Sequence, residues 1–344
     1  MAYTTINKGS SYFNTKLYTG TGASNSVTGV GFQPDWVWIK KRNGAVGHRL
    51  YDAVRGVQNT LFSQDTAAEA TGQTTTLTAF NSDGFTVISE SGVNASGDTY
   101  VAWNWLAANS TTSNTSGTIT STVSANTTSG FSIVSYTGTG ATATVGHGLG
   151  SVPKMIIFKK RSGADNWVVY HSSVGNTAYL LLDQTSASAT SSGMFNNTSP
   201  TSSVFTVSTA GPNNGSGATF IAYCFADVKG FSKFGSWTGN ASTDGPFIYT
   251  GFKPAFIMIK NSNAAGTGWS MWDSKRNTYN LVNTYLQAND AGGDGTQAFA
   301  DFLSNGIKIR DSNSFCNGSG NTIIYMAFAE NPFVSSTLIP TTAR

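Results

Sequence analysis

The chain has 344 residues, of which 39% are apolar and only 11% are charged, and its formal net charge is +3. This length and apolar content are sufficient for two or three packed domains and exclude a disordered chain. The basic residues are few and scattered, so no nucleic-acid partner is expected, and without a run of 18 apolar residues no membrane insertion is expected either.

The chain begins with Met1 and the segment AYTTI at 2–6. A positively charged segment followed by an apolar run, which is typical of secretory signals, is missing there. The sequence therefore predicts a protein without a signal peptide, made in a cytoplasm and not exported by the usual route.

Three sets of landmarks recur along the chain in the same order. An aromatic-Thr-Gly turn is followed 16 or 17 residues later by a proline, and an apolar segment ending in lysine comes next. An aromatic strand built around an alanine begins 66 to 71 residues after the proline. The turns begin at Tyr18, Tyr136 and Trp237, the prolines are Pro34, Pro153 and Pro254, and the closing aromatics are Trp103, Tyr223 and Phe328. Such landmarks predict one folding unit present three times.

Within each copy the pattern is that of β-strands. Residues that favour strands follow turn-forming residues at 86–89, 205–208 and 307–310, and no window keeps a helical period for long. The sequence predicts an all-β protein of three tandem antiparallel β-sandwich domains, jelly-roll-like and related by internal repeat. The apolar runs after the prolines are expected to be central strands, buried on both faces or facing a neighbouring copy.

Composition predicts the boundaries of the copies. Copy one, with the N-terminal segment, spans 1–107, copy two spans 130–229, and copy three, with a C-terminal tail, spans 230–344. Residues 108–129 are almost entirely small and polar, which predicts a linker or, where residues alternate at 118–123, an edge strand. Because the second junction is much shorter, we expect copies two and three to sit together and copy one to move more freely.

The histidines and cysteines fit structural positions. His147 lies between glycines in a tight turn, and His48 and His171 follow the apolar strands of copies one and two, which indicates a pair inherited by duplication. Cys224 and Cys316 lack a CxxC partner, so buried free thiols are favoured over a bridge between copies. No catalytic residue, metal or cofactor is predicted.

Basic clusters at 40–42 and 159–161 recur in register, whereas copy three has Lys260 followed by polar residues. The favoured interpretation is a buried strand that reaches the surface and turns. The alternative is contact with an acidic partner or an anionic glycan.

The acidic residues form no evident catalytic pair. Glutamate occurs only at 69, 90 and 330, and many aspartates precede glycine in turns. Segment 289–295 is rich in oxygen ligands, but it lacks the alternating register of a calcium loop, so a plain loop is favoured. Without a nucleophile motif, the sequence predicts that the protein is not an enzyme.

A saccharide, if bound, is expected to contact exposed aromatic rings and polar loops, because binding residues concentrate on loops. The candidate binding residues lie in copy three, which departs most from the common pattern: Trp269, Trp272, Asn289, Asp290 and Asp294. The alternative is that the two tryptophans fill the core of copy three.

Several segments resemble a family of tail or fibre proteins of marine tailed bacteriophages. They are AYTTI (2–6), YF (12–13), LYTG (17–20), QPDWVWIK (33–40), DAVRG (52–56), NSDGFTV (81–87), YVAWNW (100–105), GFSIVSYTGTG (130–140) and GLG (148–150). The resemblance covers most of the chain and is weakest in copy three. It implies a virion structural protein and gives no catalytic residues.

The sequence therefore favours a bacteriophage virion protein in a tail fibre or tail tip. Its expected partners are other virion proteins, a host surface glycan or an outer-membrane receptor, and it is expected to form a homo-oligomer. The tandem modules are expected to supply reach and multivalency. The first alternative is a capsid decoration protein or head fibre, and the second is a glycan-binding module of non-viral origin.

Overall fold

The computed structural model describes residues 4–332, and that part of the chain is almost entirely β-structure. The prediction of an all-β protein with antiparallel sheets is confirmed, since every pair of named strands is antiparallel. Its helices are short: a 3-10 turn at Gly9–Ser11, α1 (Ser192–Phe195), α2 (Gly211–Asn214) and α3 (Ser314–Asn317). The C-terminal tail beyond residue 332 lies outside the described residues.

The strands divide among the three copies and one junction. Copy one contains β1 (Phe13–Thr19), β2 (Asn25–Thr28), β3 (Trp36–Lys41), β4 (Arg49–Asp52), β5 (Leu77–Asn81), β6 (Gly84–Val87) and β7 (Thr99–Trp105). The junction contains β8 (Thr112–Asn114) and β9 (Ser121–Asn126). Copy two contains β10 (Phe131–Thr137), β11 (Ala143–Gly146), β12 (Met155–Lys160), β13 (Val168–His171), β14 (Ala178–Leu181), β15 (Ala189–Thr190), β16 (Val204–Val207) and β17 (Thr219–Phe225). Copy three contains β18 (Ser232–Thr238), β19 (Phe247–Tyr249), β20 (Phe252–Asn261), β21 (Ser270–Asp273), β22 (Val282–Gln287), β23 (Gly295–Leu303), β24 (Gly306–Ile309) and β25 (Thr322–Pro332).

One strand order recurs in all three copies. It reads β1-β7-β3-β4 in copy one, β10-β17-β12-β13 in copy two and β18-β25-β20-β21 in copy three. A smaller sheet accompanies it in copies one and two, namely β2-β6-β5 and β11-β16. In copy three the corresponding strands continue the main sheet, through β22 and β23, to β24 and β19.

The junction at 108–129 belongs to the main sheet of copy two. Strand β9 pairs with β10 on one side and with β8 on the other, so β8 lies at the edge of the sheet. The junction is therefore attached to copy two by backbone hydrogen bonds.

The central strands β3, β12 and β20 are buried on both faces, as their apolar runs predict. In β3, Trp36 and Trp38 point into a core shared by all three copies, whereas Val37 and Ile39 point into a core that belongs to copy one. Successive residues of a strand face opposite sides, so burial of both faces requires an unbroken apolar run.

The shared core, here called the common core, contains aromatic residues from every copy. The Trp36 and Tyr223 rings stack with their centroids 4.3 Å apart, which joins copies one and two. Phe328 of copy three lies 5.0 Å from Phe13 of copy one and 6.1 Å from Phe225 of copy two. The expectation that copy one moves more freely is therefore wrong, because its tryptophans form part of the same core as the other two copies.

A repeated hydrogen bond links the copies in a ring. The residue that precedes β4, β13 or β21 donates a ring N–H to a backbone carbonyl of another copy. The pairs are His48 with Gln287 at 2.9 Å, Trp167 with Phe62 at 2.8 Å, and Trp269 with Leu181 at 2.8 Å. Copy one thus contacts copy three, copy three contacts copy two, and copy two contacts copy one.

A second set of contacts between copies starts at the last residues of the same three strands, which are Asp52, His171 and Asp273. Asp52 accepts a hydrogen bond from Tyr223 of copy two at 2.7 Å, and Asp273 accepts one from Trp103 of copy one at 3.1 Å. Where this residue is aspartate, the residue three positions later is an arginine that pairs with it. Three positions after His171 the residue is Val174 instead.

The strand register corrects one predicted equivalence. In the closing strands, Trp103 faces Trp38 and Tyr223 faces Ile157, whereas Phe328 faces Phe256. Phe328 is therefore equivalent to Trp105 and Phe225, two residues further along the strand. All three predicted aromatics are nevertheless buried, so their assignment to the core is confirmed.

The three prolines precede the central strands by equivalent intervals. Pro34 and Pro153 lie two residues before β3 and β12 begin, and Pro254 lies two residues before Phe256 at an irregularity inside β20. Proline has no N–H for the sheet, so strand starts and bulges are the positions that accept it.

Candidate functional site

Copy three contains a cleft of about 420 Å³ beside the turn that follows β21. Its floor includes the buried side chains of Val282 and Phe302. At its rim stands Tyr279, whose side chain is 85% exposed, an unusual exposure for an aromatic residue. Concave sites with an apolar floor and a few polar groups are typical of small-molecule binding.

The cleft depends on extra residues in copy three. From Asp52 to Phe62 the chain advances ten residues, and from His171 to Leu181 it also advances ten. The equivalent interval in copy three, from Asp273 to Gln287, is fourteen residues. The segment 277–284, here called the inserted loop, falls in this longer interval and supplies Tyr279 to the cleft.

Two asparagines hold the inserted loop in place. The Asn277 side chain donates to the carbonyl of Thr284 at 3.0 Å and accepts from the backbone N–H groups of Asn283 and Thr284 at 3.1 and 3.0 Å. Asn280 exchanges two hydrogen bonds with the backbone of Phe302, at 3.1 and 2.9 Å. The loop is thus fastened to β22 and β23, which fixes the position of Tyr279 between the two asparagines.

The charges of the cleft are unevenly paired. Lys253 Nζ lies 2.9 Å from Glu330 Oε2, and both side chains are partly exposed. Lys275 is exposed and forms no ion pair within residues 4–332. Among the described residues that line the cleft, one ammonium group, that of Lys275, is therefore unpaired, and the carboxylate of Glu330 is paired.

The two predicted binding tryptophans are not part of this cleft. Trp269 and Trp272 are 1% and 0% exposed, and Trp272 stacks on Phe299 with ring centroids 3.9 Å apart. Both tryptophans belong to the common core, whereas the alternative interpretation placed them in a core of copy three alone. They have no exposed ring face for a saccharide, and this corrects the expectation from sequence.

The predicted loop 289–295 connects copies instead of forming an open site. Asn289 Oδ1 accepts the backbone N–H of Trp269 at 2.7 Å. Asp294 lies between Arg42 of copy one, at 2.8 Å, and Arg276, at 3.0 Å. Asp290 is exposed on the same loop. Asp294, one of the two acidic residues of this loop, therefore forms ion pairs with two arginines.

The sequence contains a signal for the actual cleft that motif comparison missed. The interval from the aspartate that ends β21 to Gln287 is four residues longer than the equivalent intervals, from Asp52 to Phe62 and from His171 to Leu181, in the other copies. Tyr279, Lys275 and Asn280 lie in or beside that interval, but no repeated landmark marks them.

The recurrent basic clusters are neutralised within the protein. The first lysine of each cluster, Lys40 or Lys159, is completely buried, as is Lys260 in copy three. The Lys260 ammonium contacts the carbonyls of Thr185 at 3.2 Å and Thr267 at 2.6 Å, and burial lowers its pKa to about 8. The clusters also place Arg42 and Arg161 in ion pairs with Asp294 and Glu69. These basic groups form contacts between copies, so few of them are free to contact an acidic partner.

All three histidines are buried, and each has one ring nitrogen that accepts a hydrogen bond. Nδ1 accepts from Trp38 Nε1 in His48, from the Leu149 N–H in His147 and from the Ser173 N–H in His171. Nε2 must then carry the proton in the neutral ring, and it donates to a carbonyl in each case. His48 and His171 occupy different positions in their copies, before β4 and at the end of β13, so they are not an inherited pair.

Stability is expected to fall as the pH drops from about 6.5 to about 4. Burial lowers the pKa of His171 from 6.5 to about 4, so the unfolded chain binds a proton in this range that the folded chain excludes. The contribution of His171 is complete above pH 6.5 and amounts to about 2–3 kcal/mol between pH 7 and 4.5. His171→Gln keeps a hydrogen-bond donor and an acceptor but does not titrate. When the pH drops from 7 to 4.5, the free energy of unfolding of this variant should therefore fall by about 2–3 kcal/mol less than that of the native protein.

Urea unfolding of both proteins at several pH values measures this difference. Burial raises the pKa of Asp35 to about 6, which acts in the opposite direction but equally in both proteins. Parallel pH profiles for the two proteins would contradict the assignment to His171.

The remaining candidate groups have structural surroundings. Cys224 and Cys316 are free and buried, as predicted, and burial raises the pKa of both thiols. Residues 4–332 contain no cluster of three or more His, Cys, Asp or Glu side chains arranged to hold a metal ion. No helix in the described part of the chain is long and apolar enough to cross a bilayer.

The chain as a whole was compared with known proteins. No curated protein and no solved structure matches it. Residues 8–332 match a family described as a domain of unknown function, DUF7483, and this match spans all three copies. Because the match covers nearly the whole chain, the protein belongs to the DUF7483 family.

Proposed function

We propose that the chain is a structural protein of a tailed-bacteriophage virion. In this proposal it lies in a tail fibre or tail tip and attaches the particle to the host surface or to a neighbouring virion protein. The observation that carries the proposal is the ring of hydrogen bonds between copies around a common core, which packs the three units against one another. A packed body with an exposed specialised face suits a building element of a particle.

The finer architecture is part of the proposal. We infer that the chain derives from three tandem β-sandwich units whose main sheets came together on the common core. Only copy three has the longer interval that contains the inserted loop, so a cleft lined by that loop occurs once within residues 4–332. Multivalent attachment would then require several chains, which fits a homo-oligomer.

The proposed role is binding without catalysis. Glu330, the acidic residue of the cleft, pairs with Lys253, and no second carboxylate from the described part of the chain lines the cleft with it. A glycan-binding protein of non-viral origin is the second candidate, because the cleft with its exposed tyrosine would serve that role equally well.

Immunogold labelling of purified virions is expected to place the chain at the tail. Labelling of the head would instead favour a capsid decoration protein or a head fibre. Particles that contain no trace of the chain by mass spectrometry would overturn the virion role, and particles treated with non-immune antibody are the control.

A further inference from the structure

We propose that the cleft of copy three binds an anionic saccharide, a sugar that carries a carboxylate or sulfate group. In this proposal the sugar ring lies against Tyr279 and its acidic group pairs with Lys275. The inference deepens the attachment role proposed above, and it rests on that role only for the source of the saccharide, the host surface.

The shape of the cleft supports a small ligand. Its volume of about 420 Å³ lies within the range of about 300–1,000 Å³ that is usual for small-molecule sites. The Tyr279 ring stands at the rim with most of its surface exposed. An aromatic ring offers a flat apolar face to the C–H groups of a sugar, and its hydroxyl can hydrogen-bond to the sugar hydroxyls.

The position of Tyr279 supports a prepared site. The residue is flanked by Thr278 and Asn280, and the loop is anchored at Asn277 and Asn280 by hydrogen bonds to Thr284 and Phe302. A ring presented on an anchored loop loses less conformational freedom on binding than one on an unattached loop.

The charge of the cleft supports an acidic group on the ligand. Lys253 is paired with Glu330, whereas Lys275, on the same rim, has no carboxylate partner within residues 4–332. Ser274 and Thr278, which also line the cleft, add hydroxyl donors and acceptors. A carboxylate or sulfate beside Lys275 would complete the pairing, and its contribution should weaken with salt.

The test is an array of neutral, uronic-acid-containing and sulfated oligosaccharides, followed by calorimetric titration of the ones that bind. We expect binding to acidic oligosaccharides, with affinity reduced about tenfold or more by Tyr279→Ala. Lys275→Gln should reduce affinity for acidic oligosaccharides and remove most of the salt dependence.

Two matched variants serve as controls. Tyr249→Ala removes another exposed tyrosine of copy three, 54% exposed and outside the cleft, and should leave the affinity unchanged. Lys16→Gln removes one positive charge from copy one and should also have no effect. Thermal melting of all four variants checks that they are folded.

Three results would overturn the inference. They are binding of no oligosaccharide on the array, binding that prefers neutral sugars, and equal losses of affinity in Tyr279→Ala and Tyr249→Ala. None of these results bears on the immunogold experiment, so failure of the saccharide site is distinguishable from failure of the virion role.

Discussion

Replacing Asp52 by alanine is expected to lower the free energy of unfolding by about 3–5 kcal/mol. Asp52 and Arg55 are an ion pair with no exposed side-chain surface, and Asp52 also accepts the hydroxyl of Tyr223 at 2.7 Å. The substitution leaves Arg55 with Glu69 as its remaining acidic partner and leaves the Tyr223 hydroxyl buried without an acceptor. It therefore weakens copy one and its contact with copy two together.

A more exposed ion pair provides the matched control. Asp301 and Arg310 lie 2.7 Å apart, and their side chains are 19% and 43% exposed. Asp301→Ala should cost no more than about 1 kcal/mol, because exposed pairs contribute little to stability. Urea unfolding measures both variants, and equal losses would show that the buried network is not the stabilising element described here.

Truncating Trp103, Tyr223 or Phe328 to alanine is expected to cost about 3–5 kcal/mol each. The three side chains come from different copies, and all of them belong to the common core. Because that core is shared, each truncation should lower the melting temperature of the whole protein and not of one copy. We expect a single calorimetric transition in the native protein and in each variant.

The number of transitions is the decisive reading in this experiment. Three independent domains would give separate transitions, and a truncation would move only the one that belongs to the altered copy. Tyr249→Ala, in an exposed position of copy three, is the control and should shift the melting temperature only slightly.

Much of the local structure follows from the sequence because it depends on short-range patterns. In the run from Trp36 to Ile39 the residues on both faces of the strand are apolar, so the run predicts a strand buried on both sides. The repeated closing segments predict core aromatics for the same reason, and Trp103, Tyr223 and Phe328 are indeed buried. Turn residues between short β-forming runs likewise predicted antiparallel sheets.

The register within the repeats could not be obtained from the same patterns. Aromatic residues next to an alanine align Phe328 with Trp103, yet strand pairing aligns it with Trp105. His48 and His171 look equivalent in sequence for a similar reason. Which residue faces which depends on pairing between distant strands, and a shift of two residues keeps the same face and hence the same pattern.

The sequence by itself determined that one β-rich unit occurs three times and that its central strands have no solvent-exposed face. Only the tertiary structure decided what covers the second apolar face of each main sheet. The same burial pattern would result if each copy covered this face by itself or if all three copies packed their faces together. The stacking of Trp36 on Tyr223 shows that the faces pack together in the common core. The candidate cleft was decided at the same level. Trp269 and Trp272 lie in that core, and the longer interval from Asp273 to Gln287 places Tyr279 in solvent.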